Sequence, residues 1–297
     1  MKRVSGLLPG TLSFLNSSTM FTGEKPDLLD IMPFREDSIY VVGKDGVPQH
    51  WDGEEWLPVR TDNTNPLMGI WGPHESCIYA VGIGGVVLLY NGKEWKQVDT
   101  GSYDSLNSAF GFDENNVFLY GVGGRMLYWN GEKWDYREPN TIHDLFGMWG
   151  EDIEHIYTVG GEGIYRFYDG TQFLRKDELT EETVSLFGVW GTKTDNVYIC
   201  GSHGTILHFD GEDWKPMKTE TEEYLLSIWG TSDKNIFTVG DNGIMLHYDG
   251  EAWSKVNPIK EEYFTKVKGL GEENIYVAGE NGTVLRFDGT KWHDMSL

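Results

Sequence analysis

Residues 227–253 read SIWGTSDKNIFTVGDNGIMLHYDGEAW, and close variants of this stretch recur seven times along the 297 residues. The most regular column is an Asp or Asn followed by Gly: Asp52-Gly53, Asn91-Gly92, Asn130-Gly131, Asp169-Gly170, Asp210-Gly211, Asp249-Gly250 and Asp288-Gly289. Successive glycines of this column stand 39, 39, 39, 41, 39 and 39 residues apart. A constant period of this length marks a repeat architecture, in which each unit buries its apolar face only against its neighbours.

An Asp-Gly or Asn-Gly pair between two alternating runs predicts a tight hairpin, and a two-residue type I′ turn needs positive φ at both central residues. An aromatic residue stands before each pair (Trp51, Tyr90, Trp129, Tyr168, Phe209, Tyr248, Phe287). A second stands three residues beyond the glycine (Trp56, Trp95, Trp134, Phe173, Trp214, Trp253, Trp292), so two rings clasp each turn. Two further glycine columns, running from Gly43 and Gly46 to Gly279 and Gly282, bracket a second hairpin turn. Upstream lie β-type runs such as 236–239 and, further back, apolar runs ending in Trp71-Gly72, Phe110-Gly111, Trp149-Gly150, Trp190-Gly191 or Trp229-Gly230. Each unit therefore holds four short strands, A to D, near 226–229, 236–239, 244–248 and 253–256 in the sixth.

Seven such units predict an all-β fold, a closed seven-bladed β-propeller with four antiparallel strands per blade. Two positions before the strand-A aromatic the residue is small (Gly69, Ser108, Gly147, Gly188, Ser227), as suits an innermost strand where seven backbones crowd one axis. Residues 1–27 match no column and are read as an N-terminal leader; 28–297 form a single propeller domain. The first and last units depart from the pattern, with Met32-Pro33 and Lys268-Gly269 in the aromatic-Gly columns. In the small-residue column they carry Asp30 and Lys266, which are expected to meet where the ring closes. The fourth strand of the last unit ends the sequence, so closure is expected without an exchanged strand; in an alternative phase, residues 10–20 supply a strand to the last blade.

Against 24 Lys and Arg stand 47 Asp and Glu, a formal net charge of −23. That sign disfavours nucleic acid, whose binding rests on cationic neutralisation of phosphates, and favours a basic protein surface or solubility alone. Cys77 and Cys200 fall in different columns of distant units and are expected to be free, buried thiols. The start, MKRVSGLLPGTLSFL, faintly resembles a secretory signal, which leaves secretion as the alternative location, but Ser, Gly and Pro interrupt its apolar run; no stretch is apolar enough for a helical membrane span. A cytoplasmic location is expected. His50, His208 and His247 share a strand-C column with Arg286, too far apart from blade to blade for shared metal ligation, so no metal and no cofactor are expected.

The pattern Ile-Trp-Gly, Asn-Ile-Tyr, Val-Gly, Tyr-Asp-Gly and Trp resembles the repeats of bacterial β-propellers of the Asp-box (BNR) and tectonin or tachylectin type. Of the Asp-box only the segment Asp/Asn-Gly-x-x-Trp is present, as in Asp249-Gly250-Glu251-Ala252-Trp253. Resemblance to tectonins implies glycan sites repeated between blades. Sialidases of the Asp-box type use a central arginine triad, and none of the eight arginines here lies in the innermost-strand column.

Acidic residues concentrate in the D-to-A connections, as Asp177, Glu178, Glu181 and Glu182, then Glu220, Glu222 and Glu223, then Glu261 and Glu262. The B-to-C turns add Asp241, Asn242, Glu280 and Asn281. In a propeller both sets of loops emerge on one face, which predicts an acidic rim around the channel mouth. The leading reading is a non-catalytic scaffold that engages a partner protein, basic in character, through this face. A second is a lectin using the Tyr/Trp and Asp/Asn columns. A third is a hydrolase or lyase with its site at the channel mouth.

Overall fold

The computed structural model describes residues 25–175, 179 and 184–297, so the leader up to residue 24 and the strand proposed for residues 10–20 lie outside it. Each repeat forms one four-stranded antiparallel sheet whose strands lie side by side in chain order, and there are seven such sheets. In the sixth blade strand A is Leu225–Ser232, B is Asn235–Gly240, C is Met245–Tyr248 and D is Trp253–Lys255. Strand A is twice as long as its apolar run predicts, because it continues through the Trp-Gly pair to a turn at 233–234. Strand B carries the core: Ile236, Phe237, Thr238 and Val239 are all buried, facing the blades on either side. Seven apolar clusters, one at each contact between neighbouring blades, make up the interior.

The Asp/Asn-Gly turn is built differently from the expected type I′ hairpin. The aromatic pair itself closes the ladder, as Tyr248 opposite Trp253, leaving four residues in the loop. Only the glycine has positive φ there, 97° at Gly250. The side chain supplies what a second left-handed residue would have given: Oδ1 of Asp249 accepts the amides of Glu251 and Ala252, both at 2.9 Å. The same two bonds form at Asp52, Asn91, Asn130, Asp169, Asp210 and Asp288. This explains why Asp and Asn are interchangeable in the column, since both present that oxygen. Two consecutive left-handed residues occur instead in the B–C turn, for example Gly84 and Gly85 at φ 71° and 73°, or Asn242 and Gly243 at 52° and 69°.

Blades meet by one recurring device. The strand-A glycine leaves a gap that receives an aromatic tip from the preceding blade: a Cβ on Gly111, Gly191, Gly230 or Gly269 would stand within 3 Å of Trp71, Trp149, Trp190 or Trp229. Where the tryptophan is missing, Phe34 and Phe112, two residues further along their strands, reach Gly72 and Gly150 instead. The seventh contact is the seam. There Pro33 fills the glycine position and Lys268 replaces the aromatic residue.

The seam has no exchanged strand among the described residues. Asp30 is 1% exposed, yet its partner is Lys268 and not Lys266: Nζ of Lys268 lies 3.0 Å from Asp30 Oδ1. The same ammonium donates to the Ile70 carbonyl at 3.1 Å, so one lysine of blade 7 ties blades 1 and 2 together. Pro33 explains the difference, because an occupied slot leaves the side chain at position 268 to run along the inner wall. Asp30 also accepts the amides of Ile31 and Ile70 at 2.8 and 3.0 Å, which compensates a carboxylate removed from water. Burial lowers the pKa of Lys268, with the Asp30 charge opposing. Outside this pair, Trp56 Nε1 donates to the Met295 carbonyl at 2.6 Å, Gly282 N to Pro26 O at 2.7 Å, and Arg286 reaches Glu36 at 2.7 Å. The core of the seam is Leu28, Ile31, Val41, Tyr276 and Val284.

The histidine column braces strands within blades. Nε2 of His208 and His247 meets Oδ1 of Asn196 and Asn235 at 2.7 and 2.8 Å, and Nε of Arg286 donates to Asn274 at 3.0 Å. Both cysteines are free and buried, and desolvation pushes their thiols up to about 11 for Cys77 and about 12 for Cys200, which leaves them unreactive at neutral pH.

Candidate binding face

The B–C turns and the D–A connections share one face. In every blade the residue after the first B–C glycine donates its amide to the carbonyl just ahead of strand A; in the sixth, Asp241 N meets Tyr224 O at 3.0 Å. The other end of the turn abuts the connection leaving the blade, as Gly243 does with Glu261. Each turn is thus wedged between the connection entering its blade and the one leaving it.

On the sector formed by blades 5 to 7, the predicted residues are brought together. Glu220 and Glu222 are exposed and Glu223 half-buried on the connection into blade 6; Asp241 and Asn242 occupy the B–C turn beside them. Glu280 and Asn281 repeat that arrangement one blade on. The asparagines hold the acids of the neighbouring connection: Asn242 Nδ2 donates to Glu223 Oε2 at 2.7 Å and Asn281 Nδ2 to Glu262 Oε2 at 3.0 Å. Asn281 N also donates to Asp27 Oδ1 at 3.1 Å. Burial, and then the nearby Glu223, raises the Asp241 carboxyl against an opposing bond from Tyr263. Burial and then Asp27 raise Glu280. Asp177, Glu178, Glu181 and Glu182 lie outside the described residues.

Around blades 2 and 3 the same columns carry apolar groups, which charge counting along the sequence missed. Three residues ahead of strand A, where blades 6 and 7 have Glu222 and Glu261, blades 3 and 4 have Tyr103 and Ile142. Tyr103 is 87% and Ile142 82% exposed. At the start of the B–C turn, where the acidic sector has Asp241 and Glu280, blade 3 has the exposed Val122. Beside them a shallow hollow of about 420 Å³ lies between Thr100–Asp104 and the outer strand of blade 3, with Arg125, Trp134 and Tyr136 on its wall. The Arg125 guanidinium sits 5.0 Å over the Tyr136 ring and 2.5 Å from Asp104. Aligning the repeats column by column would have exposed this contrast.

The opposite face is made of A–B and C–D turns, and a groove of about 890 Å³ between blades 4 and 5 opens toward it, lined by Tyr157, Phe167, Phe209, Trp214 and the carboxylates of Glu151, Asp195 and Asp213. Some carboxylates of that face are engaged with cations, Asp210 with Lys215, Glu75 with Arg35 and Glu36 with Arg286, whereas Glu151 accepts from Thr194. The Asp/Asn and aromatic columns proposed for sugar contacts are engaged with their own turn, Oδ1 with two amides and the ring pairs at 4.9–5.7 Å. No group of three or more His, Cys, Asp or Glu among the described residues is placed to hold a metal ion.

No family model and no curated protein matches the chain by sequence. Solved structures do match in three dimensions. The WD40 β-propeller domain of Doa1 aligns with a TM-score of 0.76 at 12% identity, covering 91% of this chain and 95% of that one. YCF48 bound to D1 peptide aligns at 0.73 with 16% identity over 89% and 94%, and YCF48 from Cyanidioschyzon merolae at 0.71 with 14% identity over 89% and 96%. The likeness is one of fold. It extends over 94–96% of the length of each matched structure.

Proposed function

We propose that this chain is a non-catalytic binding platform, and that it docks a partner protein on the face formed by the D–A connections and B–C turns. The observation that carries the reading is a clustering of acids: Glu220, Glu222, Glu223, Asp241 and Glu280 share one sector, and among the described residues none of them is in an ion pair, while Lys44–Asp27 and Arg125–Asp104 are paired elsewhere on the same face. Burial first, and then the charges of Glu223 and Asp27, raise the Asp241 and Glu280 carboxyls; a basic surface offsets that repulsion, which favours a cationic partner and speeds its encounter. Tyr103, Val122 and Ile142 on the facing sector offer the apolar contact that supplies most of the energy of such interfaces. YCF48, a protein of the same fold, is known bound to a peptide, which accords with a binding role.

The test is affinity capture from cell extract with wild type, with Glu222→Lys/Glu223→Lys/Glu261→Lys, and with Glu212→Lys/Asp213→Lys on the opposite face. Capture by the first variant is expected to fall about tenfold or more, the equivalent of roughly 1.4 kcal/mol, and capture by the second to match wild type. Equal capture by all three proteins would remove the acidic sector from the interface.

A further inference from the structure

The groove between blades 4 and 5 joins rings and carboxylates in a way the next contact does not. Its floor is aromatic and fixed. The Tyr157 hydroxyl of blade 4 donates to the Thr194 carbonyl at 2.7 Å, which ties that blade to the A–B turn of blade 5. Trp214 of blade 5 stands nearly perpendicular to two tyrosines of blade 4, 5.2 Å from Tyr165 and 6.3 Å from Tyr157, and Phe209 packs against it at 5.4 Å. Phe209 and Trp214 are half-buried, so each keeps part of its ring at the groove surface.

Around this floor stand four carboxylates, Glu151, Asp195, Glu212 and Asp213, against the single lysine Lys193, so the lining is three charges negative. Thr194 donates its amide and its hydroxyl to Glu151 at 2.6 and 2.8 Å and holds that carboxyl below its ordinary pKa, so it is ionised at neutral pH. The side chains of Asp195, Glu212 and Asp213 make no hydrogen bond or ion pair among the described residues. At the contact between blades 5 and 6 the same columns read differently. Ile206 stands where this groove has Tyr165, and Thr192, Lys234 and Ala252 stand where it has Glu151, Asp195 and Asp213. The C–D turns bear out the equivalence, since Gly211 abuts Asp195 and Gly250 abuts Lys234. One ring and three carboxylates are thus peculiar to the groove when it is set beside its neighbour.

We propose that this groove binds a small organic cation, a quaternary ammonium or a guanidinium, with its apolar body on the rings and its charge among the carboxylates. Aromatic faces attract such cations, and the surrounding acids neutralise them. No three acidic, histidine or cysteine side chains among the described residues are placed to share a metal ion, so a cation that also carries apolar surface suits the groove better than a bare one. A volume of about 890 Å³ between two repeats is that of a small-molecule site. The groove lies on the face opposite to the acidic sector of the loop face and does not depend on that reading; either can fail alone. A ligand free in solution also leaves capture of a loop-face partner by Glu212→Lys/Asp213→Lys undisturbed.

The experiment is calorimetric titration of the full chain, at constant ionic strength and pH, with choline chloride, with butylguanidinium chloride, and with dimethylbutanol, the uncharged isostere of choline. Asp195→Asn/Asp213→Asn removes two charges from the groove while keeping its shape, and Asp233→Asn/Glu251→Gln removes two from the next contact. All four side chains are exposed and stand outside the hydrogen bonds of their turns, so both variants fold. The expected result is saturable binding of at least one cation by wild type, none of dimethylbutanol, an affinity weaker by about fivefold or more in the first variant, and wild-type affinity in the second. A wild type that binds neither cation, an isostere bound as tightly as choline, or an Asp195→Asn/Asp213→Asn protein that binds as wild type does overturns the proposal. Binding of an acetylated, amidated pentapeptide with a central arginine, when neither free cation binds, overturns it too and reassigns the groove to a protein partner.

Discussion

The contact between blades 6 and 7 and the contact between blades 7 and 1 do the same job with different chemistry. At the first, Trp229 lays its ring edge into the space left by Gly269, and Ser227 meets the Val267 backbone with its hydroxyl. At the second, Pro33 closes the space and a lysine stands in for the tryptophan; Asp30 of blade 1 takes that lysine on Oδ1 and, as Ser227 does with Val267, accepts the amide of the following blade's Ile70 on Oδ2. The ordinary contact is non-directional and draws on apolar burial. The seam is directional, and its ion pair has to recover the cost of desolvating two charges before it contributes anything. What the pair adds is selectivity: among the seven contacts only this one joins blades that are distant in sequence, and only here does Asp30 meet a cation.

Breaking the seam on one side should have the largest effect. Asp30→Ala leaves Lys268 without its counter-charge and two backbone amides without an acceptor, and urea denaturation should show a loss of about 3–5 kcal/mol. Trp229→Ala empties the ordinary contact and should cost about 3 kcal/mol, the low end for a large aromatic because its ring is only half-buried. If the seam is a variation on the ordinary contact, Asp30→Ser/Lys268→Met should bring it close to one, with stability within about 1 kcal/mol of wild type or above it. A double variant as weak as Asp30→Ala would mean that charge is indispensable there. The smallest effect separates seam from turn. The Asp169 carboxyl, held down to about 2 by Thr171 and the amides it accepts, has a folded pKa below its ordinary 3.8. Its contribution is therefore complete above about pH 4 and lost as pH falls toward 2. Asp169→Asn keeps the accepting oxygen, so melting at pH 7 should be unchanged and the acid-induced drop of the midpoint should shrink.

Blade number and strand order were legible because the Asp/Asn-Gly column and its flanking rings are local signals, complete within six residues. The geometry of that turn was not, since Asp-Gly reads as a two-residue hairpin until the pairing of Tyr248 with Trp253 is known to close around four. Asp30 stands out in the sequence as a seam residue, but the column that marks it pairs it with Lys266, not with Lys268. The deciding residue was Pro33, whose effect operates through the space on a neighbouring strand and leaves no mark in the charge pattern. The gathering of Glu220, Glu222, Glu223, Asp241 and Glu280 followed from loop order alone. Tyr103 and Ile142 escaped notice because single exposed apolar residues carry no signal until the same rung of several repeats is compared.

The hydrogen bonds of the Asp/Asn turns all lie on one side of the ring, away from the loops that vary most in character from sector to sector. Mutations that rewrite Glu222 or Tyr103 leave the seven folding signals untouched. Such a separation lets natural selection try new specificities on one surface of the toroid while the instructions for assembling it are inherited on the other.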